Sequence, residues 1–126
     1  MDECLNIKKM KIVSIYIDAL KQHVTYHIGI NAADNFAVID SATSPKDIWF
    51  HVGNGLPSCH VLGLMPESSN KKLLRYIIKQ GAILCKQHSK YASEKGVEIH
   101  YSAIKNVTKT SKFGSVILSS YSSLHI

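Results

Sequence analysis

The apolar positions of this chain change period along its length. From Lys11 to Asp18 they alternate, with Val13, Ile15 and Ile17 on one side, which predicts a strand. After a turn at Lys21-Gln22 the alternation resumes. Val24, Tyr26, Ile28 and Ile30 fall opposite Thr25, His27 and Gly29, so an antiparallel hairpin is expected. Residues 31 to 46 carry no clear period. Ala32-Ala33-Asp34-Asn35 is turn-like, and Phe36 to Ile39 fits either a short helical turn or an extended piece. Pro45 keeps any helix from running into the next strand, Asp47 to Val52. There Ile48, Phe50 and Val52 share one face, and Asp47, Trp49 and His51 the other. The loop Gly53-Asn54-Gly55-Leu56-Pro57 then leads through Ser58-Cys59-His60 to a partner strand over Val61 to Met65. That pairing would bring His51 and His60 together at its loop end.

The period becomes helical after the breaker cluster Pro66 to Asn70, which holds several candidate N-caps. A long helix is expected from Lys71 to Tyr91. Leu73, Leu74, Ile77, Ile78, Gly81, Leu84, Cys85 and His88 occupy one arc of it, and Lys72, Arg75, Lys79, Lys86 and Lys90 form a stripe on the opposite side. Gly81 lies at the centre of the apolar arc. Since a mid-helix Gly costs about 1 kcal/mol relative to Ala, its place predicts close approach of the helix backbone to the sheet. Ser93 to Gly96 ends the helix. Val97, Ile99 and Tyr101 read as a strand, Lys105 to Gly114 as a basic loop or extended arm, and Ser115 to Leu118 as a last strand. The expected fold is α+β: a single domain with a mostly antiparallel sheet of five or six strands packed on one long amphipathic helix.

Composition narrows the function classes. With 126 residues, 45% of them hydrophobic and 19% charged, the chain suffices for one domain with a core and is too short for two. No apolar run approaches the roughly 18 to 20 residues that would span a bilayer, so no membrane partner is expected. Met1-Asp2-Glu3-Cys4 lacks the features of a secretory signal, and Cys4, Cys59 and Cys85 are scattered and odd in number. Reduced thiols in a cytoplasmic, or alternatively nuclear, setting are expected. The net charge of +6 is unevenly spread. Residues 71 to 112 hold ten basic and two acidic side chains, residues 1 to 70 five basic and seven acidic. Such asymmetry points to an acidic partner, nucleic acid being the commonest.

Two constellations carry candidate chemistry. The helix stripe has cations and no interspersed carboxylate, a repulsive arrangement unless phosphates neutralise it. Lys105, Lys109 and Lys112 on the arm could extend that surface, with Phe113 either stacking on a base or anchoring the turn. Lysine dominates both, so backbone attraction is expected rather than base reading. The second constellation is Asp47, Trp49, His51 and His60, with Ser58 and Ser89. A carboxylate can orient an imidazole, yet no nucleophile turn or oxyanion motif accompanies them, so no catalytic residue and no enzyme activity are expected. The plain alternative is a buried polar cluster in which Asp47 and the imidazoles satisfy one another and backbone groups; a ligand-contacting role stands beside it. His51, Cys59, His60, Cys85 and His88 lack paired metal-ligand spacing, so neither a metal nor another cofactor is expected.

Gly29-Ile30-Asn31 with Asn35, Asp47 to His51, Ser58 to Val61, His88-Ser89-Lys90, and Tyr101 through Lys105, Val107, Lys109, Lys112 and Gly114 resemble, in that order, the RNA-binding domain of the NFACT proteins. This is the family of the nuclear export mediator factor and its bacterial relatives in ribosome quality control. The resemblance runs from about Tyr26 to Ile117 and is nearest to the form in which the domain stands alone. It implies a module for RNA, either tRNA or ribosomal RNA, in a translation or ribosome-associated setting. A DNA-binding module and a protein-interaction adaptor for an acidic partner remain the alternatives. The chain departs from the family at Ile30 and Leu64, where arginines are common, so a ligand site that used those guanidinium groups would be altered.

Overall fold

The structure is a computed structural model that describes residues 10–67, 71–112 and 114–126. Strands β1 (Lys11–Ile17), β2 (Gln22–Ile28), β3 (Ile48–Val52), β4 (Val61–Gly63), β5 (Glu98–Ala103) and β8 (Ser122–His125) form one sheet. Its order is β1-β2-β4-β3-β5-β8, and every neighbouring pair is antiparallel. Strands β6 (Val107–Lys109) and β7 (Val116–Leu118) make a separate small hairpin. Two helices, α1 (Ala32–Asp40) and α2 (Lys71–Gln87), complete the α+β fold. The first hairpin forms as the alternation predicts, except that β2 already begins at Gln22 and ends at Ile28, leaving Ile30 exposed. A single 3-10 turn at Asp18–Leu20 closes it, with Lys21 in the left-handed region at φ 53°.

The alternation within β3 sorts the molecule into layers. Ile48, Phe50 and Val52 join Val24, Tyr26, Ile28, Val61 and Ile99 under the apolar arc of α2, where Leu73, Ile77, Leu84 and Cys85 are buried. Trp49 points to the other face, into a smaller core with Val38 of α1, Leu62 and Ile104. Val107, Val116 and Leu118 pack against that second core. The sheet is therefore covered on both faces, by α2 on one and by α1 with the β6–β7 hairpin on the other. The sheet of six strands on one long helix is as expected, and α1 with the hairpin adds a second cover that the sequence does not announce.

Gly81 is buried, and a Cβ built on it would overlap the Phe50 ring, as its place in the apolar arc predicts. Gly81→Ala is expected to destabilise the fold by about 1 to 3 kcal/mol despite its better helix propensity, because a rigid ring in a packed core cannot give way. Urea unfolding of the variant checks this; equal or greater stability would contradict the close approach.

Three elements differ from expectation. Residues 32 to 40 form a full helix, started by Asn31, whose side chain accepts from the Asp34 N–H at 2.9 Å. Helix α2 stops at Gln87 and not at Tyr91, because residues 88 and 89 close its end. His88 Nδ1 donates to the Leu84 carbonyl at 2.9 Å and Ser89 Oγ to that of Lys86 at 2.8 Å. Strand β8, in a serine-rich tail without alternation, adds an edge strand beside β5. The candidate N-caps Ser68 to Asn70, with Phe113 and Cys4, lie outside the described residues.

Candidate anion-binding cleft and basic helix face

Asp47 is fully buried. Its Oδ2 accepts from the N–H groups of Thr43 at 2.8 Å and Ser44 at 3.1 Å, and its Oδ1 from that of Met65 at 2.8 Å. The buried polar cluster is as expected in its backbone partners, but among the described residues no hydrogen bond joins Asp47 to an imidazole, so that part of the expectation is corrected. The carboxylate ties the turn before β3 to the end of β4, a task set by backbone donors.

The aromatic trio above it forms a unit. Trp49 and His51, two residues apart on one strand face, stack with centroids 5.6 Å apart and an 8° interplanar angle. His51 and His60 meet edge to face at 5.1 Å, at the loop end of the pair as predicted. Asn54 and Gly55, both in the left-handed region at φ 61° and 70°, turn the chain between them. The Trp49 Nε1–H donates to His60 Nδ1 at 3.2 Å. Neutral His60 must then carry its proton on Nε2. His51 is held the other way: its Nδ1–H donates to the Val52 carbonyl at 2.6 Å, leaving Nε2 as acceptor. Burial, followed by the neighbouring His51, pushes the His60 pKa down to about 3. Burial also lowers His51, opposed by its bond to Val52. Protonating His60 on Nδ1 would break the Trp49 bond, so the pair offers a fixed donor and a fixed acceptor.

The two serines of the predicted cluster hold backbone. Ser58 Oγ accepts from the Val52 N–H at 3.1 Å and donates to the Cys59 carbonyl at 3.0 Å. Ser89 Oγ accepts from the Tyr91 N–H at 3.1 Å besides closing α2. Cys59 and His60 face opposite sides of the sheet. Cys59 lies in the α2 core beside Cys85, both thiols free, while His60 meets Trp49 on the other face. Among the described residues no three His, Cys, Asp or Glu side chains could hold one metal ion.

Pieces far apart in sequence converge on a cleft of about 560 Å³. Its walls come from Gly29 to Ala32 with Asn35, from His51, from Pro57 to His60, from His88 to Lys90, and from Gly114, with Lys11 at the rim. Among the described residues no carboxylate lines it. Asn35 Oδ1 accepts from the His60 N–H at 3.0 Å, which fixes the amide orientation. A Cβ on Gly29 would run into the Asn35 side chain, so a glycine is needed for that helix to sit so close. A second cleft of about 420 Å³ shares His51 and His60 and reaches Lys112, Val116 and His100. Asp34, beside Asn35, is buried, and its Oδ2 has no hydrogen-bond partner among the described residues.

The predicted cations do not form one surface. Lys72, Arg75 and Lys79 are exposed along α2, and none is ion-paired among the described residues. Arg75 and Lys79 rim a groove of about 450 Å³ lined by Leu74, Tyr101 and Leu124. Lys86 is half-buried and donates to the Ile126 carbonyl at 3.0 Å. Lys90 lies beyond the helix and lines the cleft, its Nζ 5.8 Å from the Tyr91 ring centroid. Lys105, Lys109 and Lys112 belong to the opposite face of the sheet, with the β6–β7 hairpin. Lys109 is paired with Asp40 at 2.6 Å and sits over Phe36 at 5.2 Å. The arm therefore does not extend the helix stripe.

No protein-family profile and no curated protein matches the chain. Among solved structures it is similar to the C-terminal part of the fibronectin/fibrinogen-binding protein from Streptococcus suis, with a TM-score of 0.74 at 18% identity. The match covers 94% of this chain and 46% of that one, so the chain spans about half of its structural neighbour. At that identity the likeness establishes the shared fold. No helix among the described residues is long and apolar enough to cross a membrane.

Lys11 and the role of Lys90 escape a linear reading. Lys11 sits on an edge strand and enters the rim only because β1 pairs with β2, Lys11 opposite Ile28. Asn35 was legible as a site member only through the resemblance, since the helix that positions it has no apolar period strong enough to announce it.

Proposed function

We propose that this chain is a nucleic-acid-binding module that takes RNA, tRNA or ribosomal RNA, by its phosphates in a cytoplasmic, ribosome-associated setting. The observation that carries the reading is the outer face of α2. Lys72, Arg75 and Lys79 lie there exposed and unpaired among the described residues, beside a groove with an aromatic wall at Tyr101. Cations left unpaired on one helix repel each other and gain from phosphates, whose counterions are released on contact. A tyrosine beside them offers a face for base stacking. The resemblance to the NFACT RNA-binding domain supports the same partner. The fixed tautomers of His51 and His60 suit recognition rather than catalysis.

The test is charge reversal where the fold does not depend on it. Lys72→Glu with Lys79→Glu is expected to leave thermal unfolding nearly unchanged and to weaken RNA binding about ten-fold or more at physiological salt. Neutralising single cations is expected to lower the salt slope by about one each. Binding confined to duplex DNA would keep the surface and change its partner. Unaltered affinity in the double variant, or salt-insensitive binding, would favour an adaptor for an acidic protein. That alternative gains some interest from the fibronectin/fibrinogen-binding protein whose C-terminal part shares the fold.

A further inference from the structure

The cleft between α1 and the β3–β4 loop has a buried floor with two free donors. His60 is 2% exposed and Asn35 7%, yet both line the cleft. Asn35 Oδ1 is committed to the His60 N–H, so the Nδ2–H2 group is the end left over. His60 Nδ1 is committed to Trp49, so its Nε2–H is likewise left over. Neither donor has a partner among the described residues. Among the described residues the side-chain polar atom that is both sealed off and unpartnered is Asp34 Oδ2, so solvent reaches the two donors, whose residues both line the cleft. A donor without a protein acceptor that solvent can reach is free to meet an acceptor entering from outside, and both residues line one hollow. Asn31 and Ala32 at the start of α1, where a helix leaves backbone N–H groups without intrahelical partners, also line the cleft, and Lys11 and Lys90 stand on the rim. Donors and cations, with no carboxylate lining the cleft among the described residues, select an anion.

We propose that this cleft binds a phosphomonoester, the terminal phosphate of a nucleic-acid strand or that of a mononucleotide, on His60 Nε2–H and Asn35 Nδ2–H2 with Lys11 and Lys90 closing over it. A terminal phosphate fits better than an internal one. It presents three free oxygens and carries its chain out on one side only, as a recessed floor requires. Ile28, Ile30 and Pro57 supply an apolar wall for the attached nucleoside. The inference deepens the RNA reading and rests on it for a strand as the source of the phosphate; the cleft chemistry stands apart from the α2 face.

Trp49 is the only tryptophan of the chain and is bonded to His60, so its emission reports on the floor. The full chain would be titrated with a short oligoribonucleotide bearing a terminal phosphate, the same strand with hydroxyl ends, a nucleoside monophosphate and inorganic phosphate. The phosphorylated strand is expected to bind about ten-fold tighter than its hydroxyl twin and to change Trp49 emission. Lys11→Glu and Lys90→Glu, both at exposed positions, are expected to abolish that preference. Asn35→Asp keeps the acceptor for His60 and removes the donor, and is expected to do the same. Lys72→Glu with Lys79→Glu should weaken both strands alike and leave the preference intact. A response to the monophosphate with no binding of either strand would assign the cleft to a nucleotide and sink the RNA reading alone. Equal affinity for the two strands, with Trp49 emission unmoved by every phosphate, would overturn the cleft inference and leave the α2 face standing.

Discussion

Asp47→Ala is expected to lose about 3 kcal/mol or more of stability, a large part of the 5 to 15 kcal/mol typical of a domain. The carboxylate is fully buried and accepts from three backbone N–H groups, those of Thr43, Ser44 and Met65. Removing it leaves donors unpaired, each worth about 1 to 3 kcal/mol where water cannot replace the acceptor. Thr43 is exposed and can recruit water; Met65 is half-buried beneath the turn, so its N–H is the larger loss. Asp47→Asn should fall between. One amide end still accepts, while the other now presents a donor to a donor. Urea midpoints of the three proteins give the order directly. An Ala variant as stable as the parent would show that the carboxylate does not hold the turn.

Acidification is expected to unfold this protein readily, and the sign follows from the histidines. An unfolded imidazole takes its proton near pH 6.5, whereas His60 in the fold does so only near 3, because burial, followed by His51, disfavours its cation. The unfolded chain therefore binds more protons between those values. The stability that neutral His60 contributes is fully present above about pH 6.5 and is lost as pH falls. Between pH 7 and pH 5 the loss from His60 alone is about 2 kcal/mol. His51 and His27, both lowered chiefly by burial, act in the same direction. Urea midpoints measured from pH 7 to 5 should fall steadily. His60→Asn places an Oδ1 where Nδ1 stood, so Trp49 keeps an acceptor, and the slope should lose the share of one proton. A midpoint flat across that range would contradict the buried neutral ring.

The period of apolar residues was enough to determine the first hairpin, β3 and its two faces, the core arc of α2 and the close approach at Gly81. In each case the burial pattern repeats with the geometry of its element, so local order carries the long-range answer. The meeting of His51 and His60 was legible for the same reason, since a short loop between antiparallel strands leaves its ends together. Helix α1 was not legible. Its burial rests on Asp34, Asn35 and Val38, two polar residues and one apolar, and only docking on the second face of the sheet gives them partners. Strand β8 was hidden likewise, because an edge strand needs hydrogen bonds more than apolar side chains. Of the stripe of five cations, Lys72, Arg75 and Lys79 share the exposed helix face, while Lys86 turns to the Ile126 carbonyl, Lys90 lies past the helix end, and the arm lies elsewhere. Charge spacing along a chain carries no information about which side of a sheet a later segment will cover. The cleft lies furthest from the sequence: Lys11, Asn35, His60 and Lys90 are brought together by β1 pairing with β2, by the seat of α1 and by the end of α2. A pocket is a property of how elements pack, and tertiary structure alone decides which side chains share one.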